Sequence, residues 1–270
     1  MTKQTTVFDT ILSNAKFTPA LRKQISDVMA EEQATALYVD KVIRGVYKHA
    51  ILMGAAGLGK SYAVTNALNK ANLTEGTDYK VIKGHLTALQ LFKLLYLYRN
   101  PNQVLVLDDC DIEDNLVGID LLKAATDADY KRVSWESSVI PVIAGSAVSD
   151  FTFKGSVIIC SNSFGNLRKG SQRDNKLKAL TSRIRPRKVN WETNEKKFAQ
   201  IFNMVVNAGY LDTNPQTKLT VTQKEEMLTF ILDNIDNFDA LDLRLPQKIA
   251  SDIVDSPKDW KQFCYLTLLK

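Results

Sequence analysis

Residues 49–61 have the sequence HAILMGAAGLGKS, and this stretch decides the fold. The apolar run at 49–53 ends at a glycine, which is typical of a buried strand, and residues 61–71 have a helical pattern. Between them, residues 54–61 match G-x-x-x-x-G-K-[ST] at every fixed position. Glycines let such a loop turn its backbone N–H groups toward an anion. The helix that follows the loop points the positive end of its dipole at the same anion. This glycine-rich loop is therefore predicted to bind phosphate.

The residue types of the glycine-rich loop predict how a nucleoside triphosphate is held. Lys60 is expected to reach the β- and γ-phosphates, and the Ser61 hydroxyl is expected to ligate Mg²⁺. ATP and Mg²⁺ are therefore the expected cofactors. The expected binding residues are Gly54, Ala55, Ala56, Gly57, Leu58, Gly59, Lys60, Ser61 and Tyr62.

A second apolar run, VLVLDD at 104–109, ends in two acids. A buried parallel strand delivers its last residues to the edge of the sheet where a phosphate loop also lies. Asp108 is expected to hold Mg²⁺ through water, and Asp109 to orient or deprotonate the attacking water. The alternative is a strand that simply ends in solvated acids, and the upstream loop favours the functional interpretation.

Strand-like runs alternate with helical patterns up to residue 192, and only helical patterns follow. Alternation predicts a parallel sheet with helices on both faces, and unbroken apolar runs indicate strands buried on both sides. We expect an α/β fold with five parallel strands and a small C-terminal helical lid. The predicted domains are an N-terminal helical segment at 1–45, an α/β core at 46–192 and the lid at 193–270.

Three segments have weaker patterns. Residues 19–47 predict a helix with one break, which begins at Pro19, a favoured residue of the first turn. Residues 130–135 and 139–145 predict the two strands of a β-hairpin. Residues 188–192, KVNWE, predict the last strand of the sheet.

The order of these motifs over about residues 45–255 resembles that of the AAA+ ATPases, in particular clamp-loader and helicase-loader members and small phage or mobile-element ATPases. The resemblance implies that Asn162, in IICSN, is the polar residue called sensor 1, which positions water near the γ-phosphate. It implies that Arg183, in LTSRIRP, is an arginine finger that acts on the ATP of a neighbouring subunit, with Arg185 as the second candidate. Arg244, in LDLRLPQKIA, matches the lid arginine called sensor 2.

Each of these residues also has a structural interpretation. Asn162 could cap a strand or a turn, Arg183 could pair with an acid of its own subunit, and Arg244 could be a surface arginine at a helix start. A finger that acts in trans requires assembly, so the resemblance implies a homo-oligomeric ring, with a hexamer as the expected form.

The chain departs from the family in two places. Most members have Asp-Glu at the end of the acidic strand, whereas this chain has Asp108-Asp109, and the shorter side chain puts fast hydrolysis in doubt. The segment after the strand YKVIKG also lacks the aromatic–hydrophobic–glycine trio of protein-unfolding members. This second departure makes a protein unfoldase less favoured.

Positive charge is concentrated in one segment of a chain whose formal net charge is +5. Between Arg168 and Lys188 there are nine basic residues and a single acid, Asp174, a density that suits contact with a phosphate backbone. The alternative is that some of these arginines face a neighbouring subunit's ATP and the rest are solvated. Trp135 could stack on a base, although a core or interface tryptophan is favoured.

The composition is that of a globular protein, with 45% hydrophobic and 24% charged residues. We expect neither a membrane helix nor a signal peptide, and three widely spaced cysteines suggest a reduced, cytoplasmic protein. The expected function is ATP hydrolysis coupled to remodelling or loading on DNA. The alternatives are a protein-remodelling ATPase without nucleic acid and a non-hydrolysing, ATP-dependent interaction switch.

Overall fold

A computed structural model describes residues 7–110, 112–162 and 170–270 of the protein. The chain divides into two compact units. The sheet unit contains Thr35–Ala55 and Gly59–Val189, and the helical unit contains the described residues up to Ala34 together with Ala56–Leu58 and Asn190–Lys270. The domain boundaries expected from the sequence stay predictions.

The described residues form nine strands and ten α-helices, with one short 3-10 helix at Ile112–Asp114. The strands are β1 (His49–Met53), β2 (Tyr79–Lys83), β3 (Val104–Asp108), β4 (Arg132–Ser134), β5 (Val142–Ile143), β6 (Ser146–Ala147), β7 (Asp150–Thr152), β8 (Ser156–Ser161) and β9 (Pro186–Lys188). The helices are α1 (Val7–Leu12), α2 (Pro19–Ile43), α3 (Lys60–Lys70), α4 (Ala88–Leu97), α5 (Leu116–Ala125), α6 (Gln172–Arg183), α7 (Asn194–Val206), α8 (Val221–Asp233), α9 (Arg244–Asp255) and α10 (Trp260–Thr267).

Five strands form the main sheet in the order β2-β3-β8-β1-β9, and all of them are parallel. This confirms the predicted α/β class with five parallel strands. Strands β3 and β8 are buried along their whole length, which explains why their sequences are unbroken apolar runs. Alternate residues of β1, β2, β3 and β8 enter different core clusters, so the sheet is covered on both sides.

The two faces of the sheet carry different helices. On one face Ile51 and Ile159 pack in a cluster with residues of α4, α5 and α6. On the other face Leu52 and Ile158 pack in a cluster with α3 and the last turns of α2. The helices that follow the neighbouring strands β1 and β8 therefore lie on opposite faces, and open α/β sheets commonly bind ligands outside the carboxyl ends of two such strands.

The predicted hairpin of 130–135 with 139–145 is wrong. Strand β4 pairs instead with β7, so that Val133 lies opposite Phe151, and β5 pairs with β6 in a separate two-stranded sheet. The β4–β7 pairing buries Val133 and Phe151 in the core of the sheet unit, whereas Val139 and Val142 remain exposed. Burial of the aromatic and aliphatic residues therefore selects the longer-range pairing.

Two further local predictions need correction. Helix α2 is continuous over its 25 residues and ends before Gly45, whose φ of +74° is the left-handed conformation that commonly closes a helix. The last strand is Pro186–Lys188 and not 188–192, because the pairing with β1 covers Ile51 to Met53 and closes with the bond from the Val189 N–H to the Met53 carbonyl. Strand β9 contains Arg187 and Lys188, so its sequence has no apolar run that would predict a strand.

The helical unit has its own aromatic core. Phe17 contacts Phe198 and Phe202, at ring-centroid distances of 6.1 and 5.4 Å, and Phe230 contacts Trp260 at 5.1 Å. These contacts join the α1–α2 connection to α7, and α8 to α10. None of the described helices has the length and apolar character needed to cross a membrane.

Candidate functional site

The glycine-rich loop leaves β1 and enters α3 through two residues with left-handed backbone. Gly57 has φ of +75° and Gly59 has φ of +81°, a region that side chains with a Cβ rarely adopt. Gly59 is also the N-cap of α3 and offers no side chain to the first turn of that helix. The loop thus combines a turned backbone with a helix N-terminus, the combination that binds anions.

Lys60 is buried, with 5% of its surface exposed, and its ammonium is held by the loop and by β8. Its Nζ donates to the carbonyls of Gly54 and Ala55 at 2.8 and 2.7 Å, and to Asn162 Oδ1 at 2.7 Å. An ammonium group has three donors, and these three contacts satisfy them. The Lys60–Asn162 bond therefore joins the start of α3 to the residue that follows β8.

Asn162 connects Lys60 to the second acid. Its Nδ2 donates to Asp109 Oδ1 at 2.7 Å, while its Oδ1 accepts from Lys60. Asp109 is exposed and has a left-handed backbone with φ of +51°, and its N–H donates to the Cys160 carbonyl. The residues predicted as phosphate ligand, water-positioning amide and base thus form one hydrogen-bonded series.

Asp108 is buried at the end of β3, and both of its carboxylate oxygens have partners. Ser61 Oγ donates to Oδ1 at 2.7 Å, and Lys83 Nζ lies 3.1 Å from Oδ2. Lys83 ends β2 in register with Asp108, although 67% of its side chain is exposed. Lys83 was not predicted from the sequence, although its position at the end of the strand-like run YKVIK was an available signal.

Ser61 and Asp108 fit a magnesium ion. Both offer oxygen ligands, which Mg²⁺ prefers, and the two oxygens already lie 2.7 Å apart. Mg²⁺ in proteins commonly takes one or two carboxylates and completes its shell with phosphates and water. Burial raises the pKa of the Cys160 thiol beside Asp108, and the Asp108 charge adds to this effect, so this thiol is neutral in the structure.

Arg183 ends α6 and forms an ion pair within its own subunit. Its Nε lies 3.5 Å from Asp127 Oδ2, and each side chain is 33% exposed. Arg185 is exposed, and its backbone carbonyl accepts a hydrogen bond from the Tyr38 hydroxyl. The structure therefore places neither arginine with Lys60 and the two strand-end acids, and it shows the contact that was the structural alternative for Arg183.

Most cations on α6 are also paired. Arg173 bonds to Asp114 at 2.6 Å, Lys178 bonds to Asp174 at 2.6 Å, and Lys176 pairs with Asp120. Arg168 and Lys169 lie outside the described residues. The positive charges of α6 are thus paired locally, which weakens the interpretation of this helix as a nucleic-acid surface.

Trp135 belongs to the core of the sheet unit. Its ring lies 5.5 Å from that of Phe92, and it packs against the buried cluster under α4. The structure therefore favours the core interpretation of this tryptophan over base stacking. Tyr62, in the first turn of α3, is half-buried.

Within the helical unit, two carbonyls of the loop accept hydrogen bonds. Leu243 N–H donates to the Gly57 carbonyl at 3.2 Å, and Gln200 Nε2 donates to the Leu58 carbonyl at 2.8 Å. Arg244 starts α9 with 65% of its side chain exposed, and its Nη1 lies 3.8 Å from Asp242 Oδ2. Gln200 was not predicted, because a single polar residue on an apolar helix face carries no recognisable pattern.

The fold and the geometry define an α/β protein with a parallel five-stranded sheet, compatible with a nucleotide-binding fold. The chain is similar to a protein of Enterobacteria phage T4, described as an uncharacterized 36.7 kDa protein in the nrdC-mobD intergenic region. The two are 27% identical over 224 residues, which cover 82% of this chain and 68% of the phage protein. No model of a known protein family matches the chain.

Proposed function

We propose that this protein is a P-loop ATPase of the AAA+ type, which binds ATP with Mg²⁺ in the glycine-rich loop and hydrolyses it. One observation carries the proposal: residues from three separate sequence motifs meet at one edge of the sheet. Lys60 bonds to Asn162, Asn162 bonds to Asp109, and Ser61 bonds to Asp108. These residue types in this arrangement match the needs of phosphoryl transfer.

Triphosphate binding is supported by the state of Lys60. Among the described residues, its ammonium donates to two neutral carbonyls and a neutral amide. Phosphate oxygens form charge-assisted hydrogen bonds, which are shorter and stronger than bonds to neutral acceptors. We therefore infer that a triphosphate in the loop displaces these contacts and draws Lys60 onto its terminal phosphates.

Hydrolysis needs a metal ligand and a base. Asp108 and Ser61 are the proposed metal ligands, and bound Mg²⁺ neutralises charge on the phosphates. Asn162 and Asp109 are proposed to hold the water that attacks the γ-phosphorus. As the new P–O bond forms, the bond to the ADP oxygen breaks, and Asp109 takes the proton of the water.

Completion of the site is proposed to require a neighbouring subunit. Arg183 is the proposed finger, and Arg244 is proposed to reach the nucleotide from the lid. The Arg183–Asp127 pair is partly solvated, and such exposed pairs contribute little to stability. The pair can therefore be exchanged for a phosphate contact when subunits assemble into the ring, for which a hexamer is the expected form.

DNA remodelling or loading is the proposed use of the ATP cycle, on the basis of the resemblance to clamp and helicase loaders and the net charge of +5. A specific observation favours the non-hydrolysing switch as second candidate. The base is an aspartate whose carboxylate is already bonded to Asn162, and its short side chain has little reach. A protein-remodelling ATPase is the third candidate.

Steady-state ATPase assays distinguish these proposals. We expect Mg²⁺-dependent turnover that single- or double-stranded DNA stimulates, and less stimulation at higher salt because phosphate contacts release counterions. Stimulation by a protein alone supports protein remodelling. Tight ATP binding without turnover under all conditions supports the switch and contradicts hydrolysis.

A further inference from the structure

Two successive carbonyls of the glycine-rich loop are held by residues of the helical unit. The Gly57 carbonyl accepts from the Leu243 N–H at 3.2 Å, and the Leu58 carbonyl accepts from Gln200 Nε2 at 2.8 Å. The first donor is backbone and is available whatever residue stands at 243. The second is a side chain, so this contact depends on the amino acid at position 200.

Gln200 is part of a buried polar network on the inner face of α7. It is 3% exposed and, like Asn203, lies close to the buried carboxyl of Glu32 on α2. Asn203 Nδ2 in turn donates to the Ile25 carbonyl at 3.0 Å. An amide nitrogen carries two hydrogens, and the bond to the Leu58 carbonyl uses one of them.

The orientation of a carbonyl fixes the N–H on the other side of its peptide group. A trans peptide is planar, so its C=O and N–H point in opposite directions. The Leu58 carbonyl and the Gly59 N–H belong to one such plane. A bond that holds the carbonyl on the side of α7 therefore turns the Gly59 N–H to the opposite side of the loop.

We propose that Gln200 is a positioning residue for nucleotide binding, which acts through the Leu58–Gly59 peptide to aim the Gly59 N–H at a bound phosphate. The inference rests on the proposed ATP-binding function and adds a residue from outside the motifs. Gln200 touches no substrate in this role. It presets one donor of the phosphate cradle before the nucleotide arrives, and such preorganisation increases affinity.

The burial of Gln200 supports a specific role. A buried amide without partners is costly, whereas an apolar residue of similar size in this aromatic core is not. Its side-chain nitrogen donates to the Leu58 carbonyl, which belongs to the loop. The loop contact is therefore the feature that a methionine at this position removes.

The test compares Gln200→Met with the matched control Asn203→Leu. Asn203 lies one turn away on the same helix, is 2% exposed, and donates to a carbonyl of α2 instead of the loop. For Gln200→Met we expect roughly tenfold weaker binding of a fluorescent ATP analogue, the loss of about one hydrogen bond. The bond acts equally in the ground and transition states, so KM should rise while kcat stays near the wild-type value.

Thermal unfolding without nucleotide reports the stability of both variants. If Gln200→Met does not fold, Gln200→Asn replaces it in the binding measurement. The asparagine side chain is one methylene shorter and does not reach the Leu58 carbonyl, so the same weakening is expected. Wild-type affinity in the Gln200 variants overturns the inference, and so does equal weakening by Asn203→Leu. If the wild-type protein binds no ATP analogue, the proposed function fails first and the inference fails with it.

Discussion

Ser61 and Asp108, which lie on different elements of the sheet unit, are joined by a hydrogen bond of 2.7 Å from the serine hydroxyl to the carboxylate. Ser61 is in the first turn of α3, and Asp108 is the last residue of β3. The bond places the two proposed metal ligands together before any metal arrives.

The two acids at the end of β3 should have separable roles. Asp109→Asn should bind ATP with wild-type affinity but hydrolyse it about 10²- to 10⁴-fold more slowly, the usual contribution of a general base. Asp109→Glu, which introduces the longer carboxylate found in most AAA+ ATPases, should retain turnover. Asp108→Asn should instead weaken the dependence of nucleotide binding on Mg²⁺. Equal turnover by wild type and Asp109→Asn places the base elsewhere.

Lys83 should compete with magnesium for Asp108. The Lys83 ammonium lies 3.1 Å from Asp108 Oδ2, so Lys83→Ala should lower the Mg²⁺ concentration for half-maximal nucleotide binding. We expect an effect of only a few-fold, because 67% of the lysine side chain is exposed and water screens the pair.

The control for this titration is Lys80→Ala. Lys80 is on the same strand and pairs with Glu75 at 3.1 Å, so it changes the net charge equally without touching Asp108. An unchanged or higher Mg²⁺ requirement in Lys83→Ala contradicts the competition.

Glu32 should make the stability of the protein fall as the pH rises. Burial raises the pKa of Glu32 from 4.5 to about 8, and hydrogen bonds from Gln200 and Asn203 oppose this only in part. Below pH 4.5 the group is protonated in both states. Above it the unfolded chain ionises while the folded protein keeps its proton, so stability falls until about pH 8.

Glu32→Gln removes this titration and should therefore stabilise the protein at pH 8 relative to wild type, and much less at pH 5. Each pKa unit corresponds to about 1.4 kcal/mol, so the difference should be a few kcal/mol. Chemical unfolding at the two pH values measures it. The same advantage of Glu32→Gln at both values excludes the carboxyl as the cause.

Arg183 should act in trans. Arg183→Ala and Asp109→Asn should each be nearly inactive, because fingers contribute about 10³- to 10⁵-fold in other P-loop enzymes. Mixed together, they should regain activity at interfaces that join an intact Asp109 to an intact Arg183. Asp127→Asn removes the charge opposite Arg183 but keeps an oxygen for the backbone N–H groups of Asp129 and Tyr130, so this variant should stay active.

Two results oppose this role of Arg183. No recovery on mixing, with co-assembly demonstrated, counts against action in trans. Full activity of Arg183→Ala ends the assignment and makes Arg185 the next residue to substitute.

The central sheet was predictable because its strands are buried on both faces. An unbroken apolar run followed by a glycine-rich loop or by acids leaves little choice of structure, as in 49–54 and 104–109. Strand β9 shows the limit of this reasoning. It has three residues, two of them basic, and only its pairing with β1 makes it a strand.

The contacts of the site were less predictable than its motifs. Motifs identify Lys60 and Asp108, but Lys83 joins Asp108 through the register of β2 against β3, which is a tertiary property. Gln200 is likewise visible only when α7 is packed. The β4–β7 pairing was missed because Val133 and Phe151 are far apart in sequence, and the nearer Val139 offered an equally good local pattern.

The proposed binding of ATP by the glycine-rich loop is tested by comparing the affinity of wild type and Lys60→Ala for ATP. Isothermal titration with Mg²⁺ present measures the affinity, and thermal unfolding shows that the variant is folded. We expect the wild-type protein to bind ATP, and Lys60→Ala to bind it with severely reduced affinity or not at all, because Lys60 supplies the buried charge inside the loop. Unchanged affinity in a folded Lys60→Ala protein, or no binding by the wild type, contradicts it.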